Sequence, residues 1–141
     1  MMRYRRATKL GFMIFLILLI SGGAILALYT KDTRFIIHET TKELIIDDRS
    51  YDQTIHIDET LIINLVDPID IKSKEDGLSL GSIKAGYFVL EGDITAYLNL
   101  NRYKDQWIEI IDGDNYFYIN KKDRLETFDL YTELLLLQDK L

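Results

Sequence analysis

From Arg34 onward, apolar and polar residues alternate in short runs separated by turn formers, which is the pattern of a meander of half-buried strands. Arg34 to Glu39 (RFIIHE) and Glu43 to Asp47 (ELIID) are joined by the turn Thr40 to Lys42. Gln53 to Ile57 and Thr60 to Val66 follow, the latter broken by Asp67-Pro68, because proline cannot donate to a ladder. Ile69 to Lys72 reads as a short strand or an edge, and Glu75-Asp76-Gly77 as a turn. Tyr87 to Glu91 (YFVLE) turns at Gly92-Asp93 into Ile94 to Leu100 (ITAYLNL), a tight hairpin in which Gly92 supplies the positive φ. Gln106 to Ile111 turns at Asp112-Gly113-Asp114 into Tyr116 to Ile119 (YFYI), a second hairpin. About eight strands suit a small β barrel or sandwich.

Then the period changes. Asp123-Arg124-Leu125-Glu126 is a capping-box arrangement, which predicts a helix over 123–140. Leu125, Phe128, Tyr131 and Leu135 recur at spacings of three and four and predict its buried face. Leu134 to Leu137 is apolar on more than one face. The helix is expected to plug an open barrel end, with Leu136 or Leu137 free to meet a partner or a bilayer surface.

At the other end, Leu10 to Thr30 holds no charged residue, about the 20 apolar positions a helix needs to cross a bilayer. The basic cluster in residues 1–9 precedes it, so the N-terminus is expected in the cytoplasm and residues 31–141 outside. The rival is a cleaved signal peptide ending near Gly22-Gly23-Ala24. The apolar run resumes at Ile25 to Leu28, which favours an uncleaved anchor. Gly23 and Ala27 form a small-xxx-small pair, for which a lipid-facing position is the simpler explanation.

Charge narrows the partners. All 23 acidic residues follow Tyr29; four of the 17 basic residues precede it, which leaves 13 against 23 and a net charge of −10 from Thr30 on. Such a surface repels nucleic-acid phosphates and anionic lipid heads. Without cysteine there are no disulfides, thiolate nucleophiles or cysteine metal sites.

Reactive constellations are sparse. Gly81 and Gly86 are spaced like the glycines of a phosphate loop, but Tyr87 and Phe88 stand where Lys and Ser or Thr are required, and a strand follows instead of a helix. These glycines are expected to bend a sheet and let backbones approach. His38 and His56 fall in different strands, and nothing in their spacing brings them to a shared carboxylate, so no metal or cofactor is expected. Asp112-Gly113-Asp114-Asn115 lacks the twelve-residue loop and closing Glu of a calcium site. Adjacent acids such as Asp47-Asp48 and Asp58-Glu59 point to opposite faces of a strand. There is no G-x-S-x-G elbow, and no enzyme is expected. Among Tyr87, Tyr97, Trp107, Tyr116 and Tyr118, most rings are expected in the core. A row of tyrosines on a sheet edge would instead suit strand addition by a peptide.

A glycine bend, then "GYF", a strand, "EGD", a strand ending near Asn99, "WIEIID", "YFYIN", "KKD" and a helix beginning "LETF", with "KELIID" and "QTIHIDE" upstream, resemble the bacterial pleckstrin-homology-like domains over about Arg34 to Leu137. The resemblance implies a strongly bent, partly open antiparallel sheet of about seven strands with a C-terminal helix plugging one end, often beside a transmembrane helix, and no known catalysis. Phosphoinositide-binding relatives use a basic first hairpin loop. Here that loop is Glu39-Thr40-Thr41-Lys42-Glu43, one lysine between glutamates, so that activity is not expected. The combined expectation is a single-pass membrane protein whose outer domain is a non-catalytic interaction module for another membrane or envelope protein. Trp107, Tyr116, Tyr118, Leu136 and Leu137 are its candidate contact residues. The alternative is a sensor that takes a small molecule or peptide in a groove near the C-terminal helix.

Overall fold

A computed structural model describes residues 2–29, 32–48 and 52–140, with the side chains of its first helix from 11 to 24. The chain divides into two units, Met1–Asp32 and Thr33–Leu141. The first is helix α1, Met2–Tyr29. Among the described residues, no helix is long and apolar enough to cross a membrane. Gly11 to Ala24 rises only about 20 Å as helix, against a hydrocarbon core of about 30 Å. The basic side chains of residues 3–9, the resumed apolar run from Ile25, Ala27 of the small-residue pair, and Thr30 and Lys31 lie outside the described side chains.

The second unit is mainly β, with two sheets and one helix. Strands β1 (Arg34–His38), β2 (Glu43–Asp47) and β3 (Gln53–His56) form an antiparallel meander. The larger sheet has the order β4-β8-β9-β7-β6-β5, from β4 (Ile62–Val66), β5 (Ile71–Leu80), β6 (Ile83–Leu90), β7 (Ile94–Leu100), β8 (Trp107–Asp112) and β9 (Asn115–Asn120). Helix α2 is Arg124–Asp139. Both expected hairpins form. Leu90 pairs with Ile94 across a turn in which Gly92 and Asp93 have positive φ, and Asp112 pairs with Asn115 across Gly113-Asp114.

Three features differ from the sequence expectation. Among the described residues there are nine strands, instead of seven or eight. β7 and β9 pair in parallel, so the sheet is mixed, not antiparallel throughout. Glu75-Asp76-Gly77 is no turn: β5 runs through it with irregularities at Ile71/Ser73 and Lys74/Asp76, and the hairpin closes later, at Gly81-Ser82. Gly77 lies directly opposite Gly86, with φ of +116° and +125°, and a Cβ on either would strike the partner strand's backbone. Glycine serves close approach here, as expected for Gly86, and its partner is Gly77.

Period-two alternation sorts the larger sheet's side chains into two cores. Ile63, Ile108, Ile110, Ile119 and Tyr97 face one side, where Leu44, Ile46 and Ile55 of the small sheet and Leu130, Leu134 and Leu137 of α2 complete the cluster. Phe88, Leu90, Ala96, Leu98, Trp107 and Tyr118 face the other side. That second face is closed by the sheet's own curl. The two edge strands, β4 and β5, are joined by the short stretch Val66 to Ile71, which extends at most about 18 Å. Six strands laid flat would put those edges about 24 Å apart. The sheet must therefore bend until its edges approach over Trp107. The linker is held there as Tyr103 Oη donates to the Ile69 carbonyl (3.2 Å) and the Glu91 amide donates to the Asp70 carbonyl (2.8 Å).

Polar atoms in these cores are paired. Tyr97 Oη donates to Asp48 Oδ2 at 3.0 Å, and Tyr118 Oη to Glu109 Oε2 at 2.9 Å. Burial, then these carboxylates, pushes both phenols well above the usual tyrosine range; for Tyr97 the Asn99 hydrogen bond opposes the shift. Because the folded values are raised, the stabilisation from the neutral phenols is complete below the unfolded value of about 10 and is lost as pH rises above it. The urea midpoint is expected to fall steeply above pH 10. Tyr97→Phe, although less stable at neutral pH, should show a shallower alkaline decline.

Candidate functional site

Helix α2 is capped by Asp123, whose carboxylate accepts from the amides of Leu125 (2.7 Å) and Glu126 (3.3 Å), the N-cap half of the expected capping box. Thr127 locks the same turn, its hydroxyl donating to the Asp123 carbonyl and accepting from the Lys121 amide, both at 3.0 Å. This register decides which stripe is buried. Thr127, Leu130, Leu134 and Leu137 face the core. The expected stripe does so only in part: Tyr131 and Leu135 pack half-buried against the core, while Leu125 is 68% exposed and Phe128 51%. The cause is visible in the sequence. Positions 127, 130, 134 and 137 repeat at the same spacings of three and four, and the four consecutive leucines serve either stripe. Packing against β4 and β8 selects one, and Gln138 fixes the far end by donating to the carbonyls of Asp58 (2.8 Å) and Leu61 (2.9 Å).

The helix therefore carries a second apolar stripe on the outside: Leu125, Phe128 and the 55% exposed Leu136. Beside its N-terminal half lies a cleft of about 560 Å³ lined by Leu65, Gln106, Asp123, Arg124, Leu125, Thr127 and Phe128. Leu65 comes from the end of edge strand β4 and Gln106 from the segment entering β8; Arg124 Nη2 meets Gln106 Oε1 at 3.4 Å across it. The stripe is bordered by acid. Glu126, Asp129 and Glu133 are exposed on α2, and Arg124 is the helix's one basic residue.

The candidate contact residues separate on burial. Leu136 is exposed and Tyr116 half-buried, whereas Trp107 (0% exposed), Tyr118 (2%) and Leu137 (3%) are core. Trp107 stacks edge-on to Tyr118 at 5.7 Å and donates from Nε1 to the Tyr103 carbonyl at 2.9 Å. Nor can Tyr116 and Tyr118 receive an added strand, since β9 is paired on both sides, by β8 and β7. Leu125 and Phe128 were missed as surface residues because spacing alone does not say which of two equal stripes the sheet takes. Among the described residues, no group of three or more His, Asp or Glu side chains could hold a metal ion.

Compared with known protein families, with curated proteins and with solved structures, the chain matches none.

Proposed function

We propose that this protein is a single-pass membrane protein, N-terminus in the cytoplasm, whose outer domain is a non-catalytic docking module, and that its contact face is the outer stripe of α2. The observation that carries the reading is the unburied stripe Leu125, Phe128 and Leu136 on a helix already anchored by its opposite face. Isolated exposed leucines are ordinary, but Leu125 and Phe128 both line the cleft, with Leu136 further along the same helix face beyond Thr132, and apolar side chains beside a cleft suit a contact surface. The acidic border commits the partner: a segment of another membrane or envelope protein with apolar anchors flanked by Lys or Arg. A second copy of the domain is disfavoured, because Asp129 and Glu133 would face their own images. The anchor rests on the uncharged run Leu10 to Thr30 after a basic start. A pleckstrin-homology-like plan is supported by the curled sheet followed by a terminal helix. The parallel β7–β9 pair and the ninth strand are departures from the simple form of that plan.

A photo-crosslinking side chain at Phe128, in cells making the full chain, is expected to trap one partner, and Leu125→Glu is expected to abolish the adduct. As Leu125 is exposed, the variant's thermal midpoint should stay within about 1 °C of wild type. An adduct unchanged by Leu125→Glu, or none at all, overturns the docking face. The cleft volume suits a small ligand and favours a sensor as the second reading. A thermal upshift with a small molecule that Leu65→Trp abolishes would select it.

A further inference from the structure

The two flanks of the outer stripe differ in sign. At 3.6 residues per turn, Phe128, Thr132, Leu125 and Leu136 lie along the middle of the exposed face of α2. Glu126, Asp129 and Glu133 fall on one flank of it. Arg124, Tyr131 and Leu135 fall on the other, and of these Arg124 lines the cleft. We infer that the docking segment is itself two-sided: beside the apolar anchor that enters the cleft it carries an Asp or Glu carboxylate, received by Arg124, and its Lys or Arg residues lie on the opposite side, over Glu126, Asp129 and Glu133. The inference rests on the docking face proposed above and adds the group that meets its cationic edge.

Three observations support it. Arg124 is exposed at the cleft, where its Nη2 meets Gln106 Oε1 at 3.4 Å, a long contact to a neutral amide, and it meets no carboxylate among the described residues. A guanidinium offers a planar fork that takes a carboxylate through two parallel hydrogen bonds, and the apolar lining from Leu65, Leu125 and Phe128 thins the water around such a pair. Second, the surroundings of Arg124 are cationic. Arg102 Nη1 donates to the Lys122 carbonyl at 3.5 Å, which ties the β7–β8 connection to the segment before α2 and brings Arg102, Lys104, Lys121 and Lys122 to the same end of the domain. The two carboxylates of these connections are already engaged: Asp105 pairs with Arg102 Nε at 2.9 Å, and Asp123 caps the helix. Third, the two signs act separately. A helix with its side chains is about 10 Å across, and exposed charges are screened beyond about 8 Å at physiological ionic strength. A basic residue set against Arg124 would be repelled there whatever the segment gained across the helix. The face therefore takes a two-sided segment in one orientation and rejects a uniformly basic one. An anionic lipid surface fits worse, because it would also press on Glu126, Asp129 and Glu133.

The test uses the full chain in cells, with the photo-crosslinking side chain at Phe128 and the adduct mapped by mass spectrometry. The trapped segment is expected to hold an Asp or Glu within about four residues of the linked position, the reach of one helical turn. Arg124→Glu is expected to lower the adduct about tenfold or more, and Arg124→Lys less, because an ammonium keeps the charge but not the fork. Glutamate suits the first turn of a helix, so the Arg124→Glu protein should melt no lower than wild type, which separates lost docking from lost folding. Changing the trapped acid to Lys in the partner should abolish the adduct with the wild type and restore it with Arg124→Glu. An adduct lost in Leu125→Glu but unchanged in Arg124→Glu refutes this inference and leaves the docking face standing; no adduct with the wild type removes both. A trapped segment without an acidic residue, a crosslinked dimer of the chain itself, or an adduct with a lipid alone also refutes the inference.

Discussion

Gly86→Ala is expected to destabilise the outer domain by about 3 kcal/mol or more, enough to unfold a large fraction of a domain held by 5–15 kcal/mol. Two costs combine. A φ of +125° is a conformation that side chains rarely adopt, and the new methyl would meet the Asp76 carbonyl and the Gly77 Cα across the ladder. Backbone cannot yield as a flexible side-chain tip can. Gly77→Ala should cost as much, since its methyl meets the Ala85 carbonyl, and the double variant should cost less than the sum because both break the same contact. Gly81→Ala is the control. Its φ is also positive, at +53°, but nothing lies within 4 Å of the added methyl, so the loss should be only about 1 kcal/mol. Urea midpoints of the full chain in detergent rank the three. Gly86→Ala no worse than Gly81→Ala would mean that β5 and β6 do not meet at these residues.

Asn120→Leu should be nearly as severe, about 3 kcal/mol, although it keeps the number of side-chain heavy atoms. The Asn120 side chain is fully buried and spends every polar atom. Its Oδ1 accepts from the amides of Asn101 (2.8 Å) and Arg102 (3.2 Å), and its Nδ2 donates to the carbonyls of Arg102 (2.7 Å) and Gln106 (3.3 Å). The connection between β7 and β8 is thus folded around one amide. Leucine would strand partly buried backbone groups, each costing about 1–3 kcal/mol unless water enters. The loop also presents Tyr103, which holds the β4–β5 linker and accepts the Trp107 indole hydrogen. Hydrogen exchange should therefore show faster amides at 101–106 and at Glu91, with β1 to β3 unchanged. Uniformly faster exchange across the domain would refute this local assignment.

Local chemistry carried much of this fold into the sequence. The YFVLE-GD-ITAYLNL and WIEIID-GD-NYFYIN hairpins and the Asp123 cap follow from alternation and turn residues a few positions apart. What was not legible depends on partners distant in the chain. Gly77 looks like a turn until Gly86 stands opposite it. The helix offered two stripes with the same spacing, and only the sheet beneath decides which stays dry. The candidate face was half-readable for that reason: Leu136 was expected outside and is, while Leu125 and Phe128 were assigned to the wrong side of their own helix.

The β8–β9 hairpin sits between β4 and β7, which no other strand connects. Strands β5, β6 and β7 can zip up from neighbouring segments alone, but β4 joins that sheet only through β8. The hairpin is a keystone: withdraw it and the arch loses an edge strand, the ground under α2 and the wall of the cleft in a single opening event. Whatever grips the outer stripe of α2 would thereby also brace a seam in the sheet behind it.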